Sequence, residues 1–104
     1  MATLYVTEYP TIVGMPATAN GQVPLEPPLA DYTVPIGAAQ ASPAFQPLTR
    51  MVRLHCDAVC SVLFGPSVNN PTATTSNQRM AANQTEYHGV PEGRAFVVSV
   101  IANT

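Results

Sequence analysis

Cys56 and Cys60, with His55 and His88, are the residues of this chain whose types could support nucleophilic or metal chemistry. A Cys-x3-Cys spacing is not a zinc-ribbon pair, and there is no second cysteine pair to complete four ligands. His55 and His88 would have to complete the set, yet on a strand His55 points away from Cys56. A disulfide across a hairpin is conceivable, but a reducing cytoplasm disfavours it. Two free thiols in or near a core are therefore expected, with no metal. A nucleophile needs a base within hydrogen-bond reach and a group that orients the base. Cys60 with His88 is the one pairing that can be drawn, and nothing in the spacing supports it. Glu86 and Glu92 fall in or near turns and are expected to be solvated. Without a glycine-rich phosphate loop or a His-x-His pattern, the residues point to a protein that is not an enzyme and uses no cofactor.

The elements that would position these residues lie in the second half. Thr49–Cys56 alternates, with Val52, Leu54 and Cys56 on one face and Met51, Arg53 and His55 on the other, as a half-buried strand does. Val59–Phe64 and Arg94–Ile101 are further strands, the latter apolar on both faces and β-branched, as a central strand is. Asp57-Ala58 reads as a tight hairpin turn between the first two. The long polar stretch 67–85 should hide a short strand near Gln78–Ala81, and Glu86–Val90 gives another. No helix is expected. Phe64 and Phe96 are core by position, and Arg50 or Arg53 is expected to pair with Asp57 or Glu92.

The first half has a different character. Met1–Thr7 carries a short strand signal, with Leu4 and Val6 facing one way and Tyr5 the other. Eight of the eleven prolines then fall within the first 47 residues, which excludes helix and any long interior strand. Single apolar anchors recur among them, including Ile12, Leu25, Tyr32 and Phe45. The chain thus divides into an extended proline-rich arm, 1–48, and a β body, 49–104. The arm is expected to lie over its own body or a neighbour's, adding Leu4–Thr7 to a sheet edge. Its contact residues would be Leu4, Tyr5, Val6, Tyr9, Ile12 and Tyr32, with cover of the body's own core an equal reading for the tyrosines. A body of 55 residues is marginal alone, so stability chiefly as an assembly is expected, with deletion of Met1–Pro10 leaving the body intact.

Charged residues make up 10% of the chain, against roughly 25% in an average soluble protein. All four basic residues are arginine, and the net charge is −2. Such a chain lacks the clustered cations of a nucleic-acid groove. No apolar run reaches a membrane span and no secretory leader is evident, so a cytoplasmic origin is expected. A weakly charged surface does little to keep copies apart, and suits a protein covered by neighbours.

From Arg50 onward the pattern runs Met51-Val52-Arg53-Leu54-His55-Cys56, Cys60-Ser61-Val62-Leu63-Phe64-Gly65 and Pro71-Thr72-Ala73-Thr74-Thr75-Ser76. Arg79-Met80-Ala81-Ala82-Asn83, Glu86-Tyr87-His88-Gly89-Val90 and Pro91-Glu92-Gly93 follow, before a closing valine-rich strand. This half of the chain resembles the small β-sandwich decoration, or cement, proteins of tailed bacteriophages. The resemblance implies an all-β, jelly-roll-like body with an extended arm, located on the capsid surface. It implies contacts with the major capsid protein and with copies of itself, and no contact with nucleic acid or membrane. The family has no reactive site, so no functional residue is carried over. A neck, tail or head-fibre protein is the structural alternative. A carbohydrate-binding sandwich is the alternative of another class, and would need exposed aromatics on the body, which offers chiefly Tyr87.

Overall fold

The computed structural model describes residues 2–10, 12–14, 22–24 and 26–103. Two four-stranded antiparallel sheets face one another across a single apolar core, making a small all-β sandwich. The strands are β1 (Thr3–Tyr9), β2 (Ile12–Gly14), β3 (Gln22–Pro24), β4 (Ala30–Pro35) and β5 (Gln40–Ala41), then β6 (Met51–Cys56), β7 (Cys60–Pro66), β8 (Gln78–Met80), β9 (Thr85–Gly89) and β10 (Phe96–Ala102). The first sheet has the order β4-β1-β6-β9 and the second β5-β10-β7-β8, while β2 and β3 pair only with each other. Among the described residues the one helical feature is a single 3-10 turn at Ser67–Asn69.

β1 occupies an interior position. It pairs with β4 on one side, Val6 opposite Tyr32, and with β6 on the other, Val6 opposite Leu54. Leu4–Thr7 therefore lie between two strands rather than at a sheet edge. Period-two alternation sends Leu4, Val6 and Glu8 inward, where all three are buried, and leaves Tyr5 outward. Val34, Ile36 and Phe45 from the first half join Val52, Leu54, Val62, Val98 and Val100 from the second in one core. The exposed surface is 5777 Å2, against about 5,600 Å2 expected for a closed monomer of this mass. Strands from both halves thus close one core. Leu25, one of the expected anchors, lies outside the described residues.

The link at Asp57-Ala58 is a corner between sheets, not a hairpin. Both neighbours of β6 are already supplied by β1 and β9, and both neighbours of β7 by β10 and β8. Four residue steps from Cys56 to Cys60 span up to about 14 Å, enough to cross the roughly 10 Å between packed sheets. Asp57 pins the corner: its Oδ1 accepts the Thr3 amide at 2.7 Å, and its own amide donates to the Thr3 carbonyl at 3.2 Å.

The second sheet is covered on both sides, which explains an interior strand apolar on both faces. The segment following β7 returns over the sheet's outer surface. Ala73, 2% exposed, donates its amide to Ser99 Oγ at 2.9 Å. Asn103 Nδ2 ties Ser61 Oγ, at 2.7 Å, to the Thr75 carbonyl, at 3.2 Å. A Cβ at Gly65 would sit 3.2 Å from Pro71, so glycine there lets the covering segment approach.

Sheet edges are blunted. β4 carries Asp31 and ends at Pro35, β5 is two residues long and is followed by Pro43, and β8 has three residues. β9 turns Glu86 and His88 toward the interior. Charges, prolines and short edges all hinder edge-to-edge pairing with another chain.

Candidate binding face

With one sheet covered by its own chain, the outer face of the first sheet is the more open one, at Tyr5 and Tyr87, although Thr7 and Tyr9 on it are buried. Strand register sets its rows. Thr33, Tyr5, His55 and Thr85 lie abreast across β4, β1, β6 and β9, and the next row is Asp31, Thr7, Arg53 and Tyr87. Between them lies an open depression of about 400 Å3, lined by Tyr5, Thr7, Asp31, Arg53 and His55. Tyr5 is 45% exposed and Tyr87 53% exposed. The Tyr5 and His55 rings lie 6.2 Å apart, and His55 Nδ1 shares a hydrogen bond of 2.8 Å with Thr85 Oγ1. Thr7 Oγ1 donates to Asp31 Oδ1 at 2.7 Å. Arg50, at the end of β6, makes the exposed ion pair with Glu92 at 2.8 Å, as expected for one of the two arginines. Exposed pairs of this kind contribute about 0–1 kcal/mol.

Strand parity separates Leu4 and Val6 from Tyr5 on β1, while Tyr9 shares the parity of Tyr5 and is buried nonetheless. Leu4 and Val6 are fully buried in the chain's own core, where their alternation on β1 places them. Tyr9 is 5% exposed. Its hydroxyl donates to Glu26 Oε2 at 2.9 Å, and burial first, then the Glu26 carboxylate, push it up to about 12. Tyr32 is half-buried and faces inward, its hydroxyl donating to Glu8 Oε2 at 2.6 Å. Burial and that carboxylate push its ionisation well above the ordinary tyrosine value. Ile12 lies on β2, and its side chain is outside what the structure describes. Of the five whose side chains are described, Tyr5 alone is exposed on the face.

The other candidates for chemistry are structural. Cys56 and Cys60 are both buried, free thiols. Cys56 Sγ donates to the Ala81 carbonyl at 3.0 Å. Cys60 is pushed up to about 12 by burial first and then by Cys56, so its thiol stays protonated and unreactive at neutral pH. Glu86, expected to be solvated, instead turns inward from β9 and is only 20% exposed. It meets His88 Nε2 at 3.0 Å, Gln78 Nε2 at 3.3 Å, and the Gln84 side-chain amide. The His88 ring also packs against Phe64, tilted by 45° with centroids 4.9 Å apart. Gln78 belongs to β8, so this polar group bridges the two sheets where their edges open. Among the described residues no group of three or more His, Cys, Asp or Glu is placed to hold a metal ion, and no helix is long and apolar enough to cross a membrane.

Periodicity alone placed Arg53 and His55 on a common outward face. Asp31 and Thr7 were missed as members of that face, because only the pairing of β4 with β1 brings them beside Arg53. No protein-family model, curated protein or solved structure matches this chain.

Proposed function

We propose that this chain is a structural virion protein, a non-enzymatic β-sandwich that decorates and cements a tailed-phage capsid by bridging capsid subunits. The observation that carries the reading is a division of labour within the fold. The sandwich completes its own core, whereas among the described residues the strands β2 and β3 pair with each other and with neither sheet. A two-stranded ribbon of three residue pairs is marginal in water by itself, so a contact beyond its own pairing is needed to hold it. We assign that contact, with Ile12 in it, to the major capsid protein and to neighbouring copies of this chain. A surface with 10% charged residues and no lysine lets shell and copies approach without strong repulsion. The blunted sheet edges keep free copies from polymerising before they reach the shell. The mechanism is passive: burying the seams between capsomers raises the barrier to rupture of the shell.

The ribbon can be removed without opening the sandwich, because Tyr9 and Glu26, which flank it, are hydrogen-bonded to each other at 2.9 Å. Replacing residues 11–25 by a short Gly-Ser link should leave a cooperatively melting β protein. Its co-sedimentation with shells stripped of the native protein should fall at least about tenfold, the loss of roughly 1.4 kcal/mol or more of contact energy. Undiminished binding by that variant would sink the assignment of the ribbon to shell contact.

A further inference from the structure

We propose that the outer face of the first sheet is a binding site for a neutral oligosaccharide, an activity separate from attachment to a shell. Three observations on the face point there. First, it offers two exposed aromatic rings instead of one. Tyr5 on β1 and Tyr87 on β9 stand on either side of β6, offset by one row. Two strand spacings of about 4.8 Å and a two-residue offset of about 6.8 Å put their Cα atoms about 12 Å apart. Flat rings at that separation suit two non-adjacent pyranose faces along one chain, with a sugar between them over the polar groups, since tyrosine combines an apolar face with a polar tip.

Second, the groups between the rings have unused hydrogen-bonding capacity. Arg53 lies close enough to Tyr9 to act on it electrostatically but makes no hydrogen bond or ion pair with the described residues, and a guanidinium carries five N–H donors. Asp31 accepts one bond, from Thr7, out of the roughly four lone-pair sites of a carboxylate. Donor and acceptor thus flank Thr7 across the depression. A sugar hydroxyl both donates and accepts, so a ring bearing several of them engages both groups at once.

Third, the charges of the depression cancel. An anionic ligand placed on Arg53 meets the Asp31 carboxylate, and a cationic one placed on Asp31 meets the Arg53 guanidinium. A polyhydroxylated neutral ligand carries neither penalty. Tyr5, Arg53 and Tyr87 therefore act as contact residues, and His55, held by Thr85, supports the Tyr5 ring from the side.

The test is titration of the full chain with cellohexaose, maltohexaose and chitohexaose, followed by amide and side-chain NMR shifts and by calorimetry. Heparin fragments and sialyl-lactose serve as the charged comparison. The expected result is saturable binding of at least one neutral hexasaccharide, with shifts confined to the rows containing Tyr5, Arg53, His55 and Tyr87. Tyr5→Ala and Tyr87→Ala should each weaken it about tenfold or more. Both positions are exposed, so melting temperatures should hardly move. Arg53→Ala should weaken binding while Arg50→Ala, outside the depression, should not. No binding of any neutral hexasaccharide, binding unaltered by the tyrosine variants, or preference for the charged glycans would overturn the proposal. Concentration-dependent shifts on this face in the absence of sugar would also overturn it, in favour of an interface between copies.

Discussion

A chain lacking residues 1–10 will not fold. β1 hydrogen-bonds to β4 along one edge and to β6 along the other, so its loss splits the first sheet and detaches β4 altogether. Leu4 and Val6, both fully buried, go with it. Burying two such side chains is worth about 1.5–3 kcal/mol each, before the ladder bonds and the Glu8 contacts are counted. The sum approaches the roughly 5–15 kcal/mol by which a whole domain is stable. Far-UV circular dichroism and an amide NMR spectrum of the truncated chain should show an unfolded polypeptide. A dispersed spectrum and a cooperative melt would instead match the sequence-based picture of a removable arm, and would contradict an interior β1.

Replacing Glu8 will be the most damaging single polar substitution. Glu8 is 1% exposed, and three donors from two separate segments converge on its carboxylate. The Gln46 amide and Thr49 Oγ1 each donate to Oε1 at 2.7 Å, and the Tyr32 hydroxyl donates to Oε2 at 2.6 Å. The carboxylate therefore fastens β1 to β4 and to the proline-rich approach to β6. Glu8→Leu keeps much of the volume but strands the Thr49 hydroxyl in the interior and deprives the part-buried Gln46 amide and Tyr32 hydroxyl of their acceptor. Each buried group left unpaired costs about 1–3 kcal/mol, so a loss of about 3–6 kcal/mol is expected. In a domain of this size that lowers the melting temperature by about 15 °C or more. Glu8→Gln keeps an acceptor for Gln46 and Thr49 and can turn its amide toward the Tyr32 oxygen, so it should cost less than half as much. Thermal melts of both variants check the ordering. A Leu variant as stable as the Gln variant would mean that the network contributes little.

These two residue sets also show where sequence reading succeeds and where it stops. β6, β7, β9 and β10 were visible from alternation and β-branching, and β8 from the length of the loop that had to contain it. Alternation is a local property, so it survives translation into structure. Pairing is not local. The three residues Asp57–Val59 would serve equally as a hairpin turn or as a corner between sheets, and only the partners taken by β1, β9, β8 and β10 decide. Proline density marked the first 48 residues as extended without locating their strands: Pro35 stands at the end of an edge strand and Pro43 beside one, where a missing N–H costs little. Glu8 carried a usable signal: it shares the parity of Leu4 and Val6, and so had to face inward with them. Half of the binding face was legible in the same way, as the outward row Arg53 and His55. Tyr5 and Asp31 needed the register of β1 with its two neighbours.

The central claim is that this chain is a stoichiometric structural component of a virus shell. Its copy number in purified virus particles from its source, measured by gel densitometry against the major shell protein, tests that most directly. The account predicts a ratio near one, or a simple fraction of it, as for a protein spread over the shell lattice. A small ring-like number would move the chain to a neck or tail, and its absence from particles would contradict the claim outright.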